Sequence, residues 1–566
     1  MKNFKDLFDR LFGWLKIDYT SHHGNEGNKK IVPSENSALD YHYRVGDFIG
    51  QKYEVRGVLG KGGFGVVYLV YSHETDSVYA LKTFRDEYLE DAQIRERFKK
   101  EANVWIDLER HPYLVRAYFV DQFAGRLYIV MEHIVPDEQG LNSLETYLRV
   151  RPPDFGQSVR WAIQFCLGME YAYSRGLRCH RDIKPSNIMV SHDKTIKISD
   201  FGLAGVLDSA NVLPEIKLNF QKDRVGLSFQ TLDGVVGTPT HMSPVQFINA
   251  AYCDERSDIY SFGIVLYQMR TGGKVPFITT LPRDNSDEEA LRFWNSMRRL
   301  HTEAPVPRIN SRLKSVICHC LEKKPSNRYQ SFNQLRLDLE PLLMRETGEI
   351  IKLPEIKELE AWEWVNKGGS LHGLGRFEEA IRCYDRAIEV DPGSSKAWFN
   401  KGLSLHDLRR YNEAIHCYEK AIEINSQLAP AWCNKGLSLH SLGRYVEAIH
   451  CYDNALNIDS QDATAWNNKG NSLESLHVYE EAIAAYDNAL EIDPRYAVAW
   501  YNKGISLSNL GRCKESILCY DKALEIDSLN ADAWYNKALS EEKLGLIQNA
   551  ARSYKQIIEM DPSGYE

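Results

Sequence analysis

The sequence predicts a two-lobed α+β unit followed by an all-α solenoid, and three observations carry that reading. Strand-like runs at Tyr53 to Val58 and Gly65 to Tyr71 give way to long helical patterns that continue to about Leu343. Beyond Pro354, tryptophan recurs every 34 residues, at Trp364, Trp398, Trp432, Trp466, Trp500 and Trp534. At 566 residues the chain is also too long for one ordinary domain of about 100 to 250 residues.

Composition narrows the class further. With 26% charged and 43% hydrophobic residues, a disordered, collagen-like or multi-span membrane chain is excluded. A balance of 69 basic against 78 acidic residues, 69 − 78 = −9, leaves no global positive field to hold phosphate backbones, so nucleic acid is not the expected partner. Eleven scattered cysteines do not form a secreted disulfide framework, which places the chain in a reducing, cytoplasmic compartment.

The elements follow in chain order. Residues 1–17 form an amphipathic helix, with Phe4, Leu7, Phe8, Leu11, Phe12 and Leu15 on one face and the pairs Lys5/Asp9 and Asp6/Arg10 opposite. It falls short of the ~20 apolar residues that span a bilayer. Its mixed-sign polar face favours docking on a protein over a peripheral membrane role. Residues 18–45 are a polar linker, 53–343 the two-lobed unit, 344–360 a second linker, and 361–564 the solenoid.

Each repeat carries more than its tryptophan. A tyrosine follows twenty residues later, from Tyr384 to Tyr554, and a small residue lies between, at Ala380, Ala414, Ala448, Ala482, Ser516 and Ala550, where two helices approach closely. Cys383, Cys417, Cys451 and Cys519 precede four of these tyrosines, as small packed residues. Cys318 and Cys320 flank His319, but i and i+2 on a helix point to different faces, so no metal site is expected there. The six units resemble the tetratricopeptide repeat (TPR), helix-turn-helix units stacked into a superhelix. The resemblance implies that Asn366, Asn400, Asn434, Asn468, Asn502 and Asn536 face a groove, where a ladder of amides would bind an extended peptide. Ordinary repeat consensus is the alternative reading of these asparagines. The last unit lacks a polar capping helix, so Leu546, Ile557 and Ile558 would dock on the first unit, the amino-terminal helix or a second copy.

In the two-lobed unit, Gly60-Lys61-Gly62-Gly63-Phe64-Gly65 sits between two strands, where glycines let a hairpin close over phosphates. Alone this signal is weak, since such a run also opens dinucleotide-binding helices. Lys82 lies in a buried-strand pattern and needs an anionic partner, which Glu101 can supply. Singly, each reads as a surface charge. The strings Cys179-His180-Arg181-Asp182-Ile183-Lys184-Pro185-Ser186-Asn187 and Asp200-Phe201-Gly202 then follow in order. Over about 53–343 the chain therefore resembles the protein kinases, and most nearly the eukaryotic-like (Hanks-type) serine/threonine kinases of bacteria. The expected architecture is an α+β bilobal protein kinase fold followed by an all-α TPR superhelix.

The resemblance implies ATP and Mg²⁺, with Mn²⁺ as the alternative ion. Gly60, Gly62, Gly63 and Gly65 would cover the phosphates and Lys82, held by Glu101, would touch them. Val67 and Ala80 would form the roof of the adenine slot, Met189 its floor and Met131 its back, with Glu132 to Ile134 offering backbone hydrogen bonds. Asn187 and Asp200 would hold metal. Asp182 would take the substrate hydroxyl's proton, with Lys184 and Thr238 beside it, and Lys184 points to Ser/Thr substrates. Trp105, His180 and Phe201 would join the lobes in an apolar column.

Two departures stand out. Ser243-Pro244-Val245 replaces the family's Ala-Pro-Glu, removing the glutamate expected to pair with Arg328, and a buried arginine truly unpaired would cost about 3–5 kcal/mol. Asp200 to Pro244 is also a long loop carrying Ser209, Ser228, Thr231 and Thr240. Autophosphorylation is expected at Thr231 or Ser228, read by Arg181. Ser186 stands where kinases preferring basic substrates carry Glu, so no strong demand for arginine is expected. The function expected is a serine/threonine kinase whose repeats recruit substrate or regulator. The alternative is a TPR scaffold with a weak or inactive kinase-like domain.

Overall fold

The computed structural model describes residues 43–61, 65–86, 91–201, 219–223, 226–231, 234–282, 286–354 and 358–560. The helix expected at 1–17, most of the 18–45 linker, Gly62, Gly63 and Ser209 lie outside them. The chain divides into two compact units, Met1–Glu358 and Leu359–Glu566.

The first unit opens with six antiparallel strands, β1 (Phe48–Ile49), β2 (Tyr53–Lys61), β3 (Gly65–Ser72), β4 (Ser77–Phe84), β5 (Ala117–Phe123) and β6 (Arg126–Glu132). The sheet order is β1-β2-β3-β4-β6-β5. Alternation sorts the side chains to two faces. Val66, Tyr68 and Val70 pack with Tyr53, Val55, Tyr79, Leu81 and Val130 into one core. The other face receives Val67, Ala80, Lys82 and Met131, because Val67 pairs with Lys82 and Ala80 with Met131 in register. The helix Ala92–Asp107 buries Phe98, Ala102 and Trp105, with Phe98 edge-on to Phe84 at 5.5 Å.

The helical lobe is built on Phe155–Ser174 and Glu255–Thr271. Asp154 caps the first by accepting from the Gln157 amide at 2.7 Å, and Asp254 caps the second. The second helix ends at Gly272, whose φ of +67° suits glycine. It is buried from Ser257 to Met269, which fits a helix that other elements enclose. Phe165 stacks on Phe262 at 4.0 Å to join the two. A small hairpin, β7 (Ile188–Val190) and β8 (Ile196–Ile198), carries the residues between the catalytic strings. Where a long loop was expected after Asp200, an antiparallel meander forms from β9 (Asn219–Asp223), β10 (Gly226–Thr231) and β11 (Gly234–Gly237).

In the second unit, paired helices run from Ala361–Gly373 to Ile547–Met560. The period has a packing cause. A Cβ on Gly402 would lie 2.5 Å from a ring carbon of Tyr418, and Gly368, Gly470 and Gly504 meet Tyr384, Tyr486 and Tyr520 equally closely. Only glycine lets the tyrosine ring lie flat on the first helix. In the sixth unit Ala538 occupies that place and Tyr554 is half-buried, whereas Tyr418 and Tyr486 are fully buried. From the second unit on, the lysine after the asparagine stitches its unit to the preceding one. Lys401 pairs with Asp385 at 2.6 Å, Lys469 with Asp453 at 2.6 Å and Lys537 with Asp521 at 2.6 Å, each poised over its own tryptophan. Leu546 and Ile558 are exposed at the end of the solenoid, and Ile557 is half-buried.

Candidate active site

Lys82 projects from β4 and donates to Glu101 Oε1 at 2.5 Å and to Asp200 Oδ1 at 2.8 Å. Burial alone would lower the Lys82 ammonium, but Asp200 and Glu101 outweigh it and hold its pKa above the ordinary value. Burial pushes Asp200 up and Lys82 more than reverses this, so its carboxyl sits well below the usual range. Glu101 is different: burial raises it and Lys82 only partly offsets the rise. Lys82 thus bridges two carboxylates, Glu101 and Asp200, at the centre of the site. Trp105, one turn after Glu101, donates to Glu101 Oε1 at 3.4 Å and meets Phe201 edge-on at 5.0 Å, while His180 packs on Phe201 at 4.7 Å. The expected apolar column is thus in contact along its length.

The second cluster lies on the loop of Asp182 to Asn187. Lys184 meets Asp182 Oδ2 at 2.8 Å, and Asn187 Nδ2 donates to the same oxygen at 3.0 Å. Thr238 donates to Asp182 Oδ1 at 3.4 Å and accepts from Lys184 at 3.2 Å. Burial opposes the Lys184 charge, but Asp182 keeps its pKa raised. The structure brings together all four of these residues, which the sequence spreads over more than fifty positions.

Two residues that sequence reading missed hold this loop in place. Arg181 has φ +67° and Asp200 φ +62°, conformations that cost free energy for residues with a Cβ. Buried Asp258 accepts from the His180 amide at 2.6 Å, the Arg181 amide at 2.9 Å and the Tyr173 hydroxyl at 2.5 Å. Gln246 grips the other side: its Nε2 donates to the Arg181 carbonyl at 2.8 Å, and its Oε1 accepts from the Ser243 amide at 2.9 Å. The end of the activation segment is therefore tied to the loop of Asp182 through one buried amide.

The departure at Val245 leaves no unsatisfied arginine. Arg328 donates to the carbonyls of Glu322 at 2.7 Å, Arg256 at 2.9 Å and Lys323 at 3.0 Å, and stands over the Tyr260 ring at 4.8 Å. These three acceptors replace the absent carboxylate, so the cost of an unpaired arginine is not incurred. The charge remains desolvated, and burial lowers the Arg328 pKa to about 10.

Around the expected adenine slot, Ala80, Met131 and Ile134 are buried and Val67 and Met189 are half-buried. Glu132 is held by its own bonds: its amide donates to the Arg116 carbonyl at 2.9 Å, and its carboxylate accepts from Lys197 at 2.8 Å. A Cβ at Gly65 would come 3.1 Å from the Thr83 carbonyl, whereas one at Gly60 meets open space. Ser228 pairs with Gln221 inside the meander and Thr231 with Gly234 at its end.

In the solenoid the first helices of successive units touch one another, which places them on the inner side of the curve. The six asparagines lie on these helices and are half-buried. Their donor ends are partly committed: Asn434 donates to the Pro430 carbonyl at 2.9 Å, and Asn536 to Tyr501 Oη at 3.0 Å and the Asp532 carbonyl at 3.0 Å.

A sheet-borne lysine and a helix-borne glutamate, facing Asp200 and the loop of Asp182, define a phosphotransferase cleft. The chain belongs to the protein kinase family: the protein kinase domain matches residues 53–337, and tetratricopeptide repeats match 361–496, 485–516 and 501–565. It is 30% identical over 292 residues to a probable serine/threonine-protein kinase of Clostridium acetobutylicum, covering 51% of this chain and 40% of that protein. It is 31% identical over 308 residues to a serine/threonine-protein kinase of Myxococcus xanthus, covering 52% and 51%. To the kinase PknD of Chlamydia trachomatis it is 28% identical over 332 residues, covering 56% and 34%. The chain thus spans about a third to a half of the length of these relatives. The family uses ATP and a divalent metal ion. Among the described residues, no helix is long and apolar enough to cross a membrane.

Proposed function

We propose that this protein is a serine/threonine protein kinase that transfers the γ-phosphoryl group of ATP to protein hydroxyls, and that its repeats recruit the substrate or a regulator. The observation that carries the reading is the convergence of Asp182, Lys184, Asn187 and Thr238 beside the Lys82–Asp200 pair.

Asp182 Oδ2 is engaged by Lys184 and Asn187, and Oδ1 has the longer contact from Thr238. Oδ1 is the oxygen that accepts the substrate hydroxyl. As the hydroxyl oxygen bonds to the γ-phosphorus and the bond to the bridging oxygen breaks, the proton passes to Asp182. Lys184 stabilises the migrating phosphoryl charge, and Lys82 holds the non-transferred phosphates. Asn187 spends its Nδ2 on Asp182, which leaves its Oδ1 available as an oxygen donor, and Asp200 is ionised. This oxygen pair suits Mg²⁺, with Mn²⁺ as the alternative. A divalent ion held there supplies charge neutralisation along the phosphates. Adenine lies between Val67, Ala80 and Met189, hydrogen-bonded by the Glu132 carbonyl and the backbone of Ile134.

The scaffold reading drew on the absent glutamate, and the three carbonyls on Arg328 weaken that ground. Eleven cysteines, all present as thiols, support a reducing, cytoplasmic setting. The asparagines at 366, 400, 434, 468, 502 and 536 line the recruiting groove, and Thr231 and Ser228 receive regulatory phosphate read by Arg181. The test is thermal denaturation of the full chain with ATP and MgCl₂. ATP raises the midpoint of the wild type and leaves Asp200→Ala unmoved; a wild type that does not respond contradicts the reading.

A further inference from the structure

The fourth repeat breaks the pattern on its inner helix. The residue after the tryptophan is Phe399, Cys433 or Tyr501 in neighbouring units but Asn467 here, and the residue four further on changes from leucine or isoleucine to Asn471. Eight residues after the tryptophan the first three units carry His372, His406 and His440. Each closes a hydrogen bond onto a serine of the next unit, at 2.9, 2.8 and 2.9 Å. The fourth carries Glu474, which turns instead to the Tyr486 hydroxyl at 3.3 Å.

These substitutions are joined. Asn502 Nδ2 donates to Asn467 Oδ1 at 3.0 Å and to Asn471 Oδ1 at 2.9 Å, and Tyr486 donates to Asn471 Oδ1 at 2.9 Å. With both hydrogens committed, the Asn502 amide is fixed in orientation and presents Oδ1 as an acceptor for a backbone N–H. A locked acceptor loses less entropy on binding than a free one. Glu474 is half-exposed, and among the described residues no lysine or arginine pairs with it. Glu413 and Glu447, by contrast, are matched with Arg410 and Arg444 at 2.6 Å each. Burial raises the Glu474 pKa above the ordinary carboxylate value, whereas the arginines lower Glu413 and Glu447. Glu474 has the His477 ring near it but, among the described residues, no lysine or arginine, and such a partly desolvated carboxylate gains most when a ligand brings a permanent cation.

We propose that the inner face of the fourth and fifth repeats selects an extended polypeptide by a lysine or arginine side chain, with its cationic end on Glu474 and its backbone N–H on Asn502. This rests on the reading that the repeats recruit a polypeptide. The probes are N-acetylated, C-amidated decapeptides of Gly, Ser and Ala with one central lysine, norleucine or glutamate, titrated against the full chain at low salt. The lysine peptide binds about tenfold more tightly than the norleucine peptide, as one charge-assisted contact provides. Glu474→Gln abolishes that preference with unchanged thermal unfolding, and Glu542→Gln in the last unit retains it. A lysine preference that survives Glu474→Gln overturns the proposal. Equal binding of all three peptides also overturns it while leaving recruitment standing; no binding by any of them removes both.

Discussion

The amide of Arg181 donates to Asp258 Oδ1 at 2.9 Å and so holds a residue with φ +67° directly before Asp182. A left-handed arginine persists only where its surroundings over-determine it, and a fully buried carboxylate from the central helix does so. Replacing Asp258 by Asn keeps the shape but turns one acceptor into a donor facing donors. Asp258→Asn is expected to lose about 2–3 kcal/mol in urea unfolding and to reduce phosphoryl transfer strongly.

Gln246 closes the same residue from its carbonyl side. Gln246→Leu preserves volume and removes both hydrogen bonds. Steady-state kinetics should show kcat reduced about tenfold or more with the KM for ATP unchanged, because the nucleotide contacts lie elsewhere. A parallel rise in the KM for ATP would count against this role.

Arg328 reaches three carbonyls with a planar fork that lysine cannot reproduce. Arg328→Lys should therefore lower stability by about 2 kcal/mol, measured as a shift in the denaturant midpoint. A neutral result would mean that the carbonyls find other donors.

Buried histidines, His241 and His301 among them, make the first unit acid-labile. Burial lowers His241 to about 4 and His301 to about 3. His241 lies between Thr240 and Gln268 with Lys184 and Asp182 near it; His301 faces Tyr260, Phe247 and Phe277, with Lys323 near it. Both are neutral in the folded state, while the unfolded chain protonates them below about 6.5. Their contribution is complete above pH 6.5 and is lost as pH falls toward 4, by on the order of 3 kcal/mol for His241. Urea midpoints at pH 7.5 and 5.0 should differ in that direction, and His241→Gln should narrow the gap.

Much of the site was legible because phosphoryl transfer needs particular charged groups in compact strings. Asp182, Lys184 and Asn187 lie within six residues, and Lys82 and Asp200 sit in equally local patterns. Asp258 and Gln246 were not legible, since they act on backbone groups 77 and 65 residues away. A helical aspartate reads as a surface charge; the one signal was its place at the head of the apolar run Ile259 to Leu266. The meander at 219–237 escaped because alternation over four to six residues does not separate a strand from a loop. The solenoid was clear for the opposite reason, since Gly402 on Tyr418 repeats one steric demand every 34 residues. The asparagine amides were read as free pairs of donor and acceptor, yet Asn434, Asn502 and Asn536 spend their donors inside the solenoid.

Incubation of the full chain with γ-labelled ATP, Mg²⁺ and a generic protein acceptor tests the central claim most directly. Label is expected on serine and threonine with the wild type, and Asp182→Asn should reduce transfer by about a thousandfold or more without loss of folding. Equal labelling by wild type and Asp182→Asn, or none by a folded wild type that binds ATP, would contradict the account.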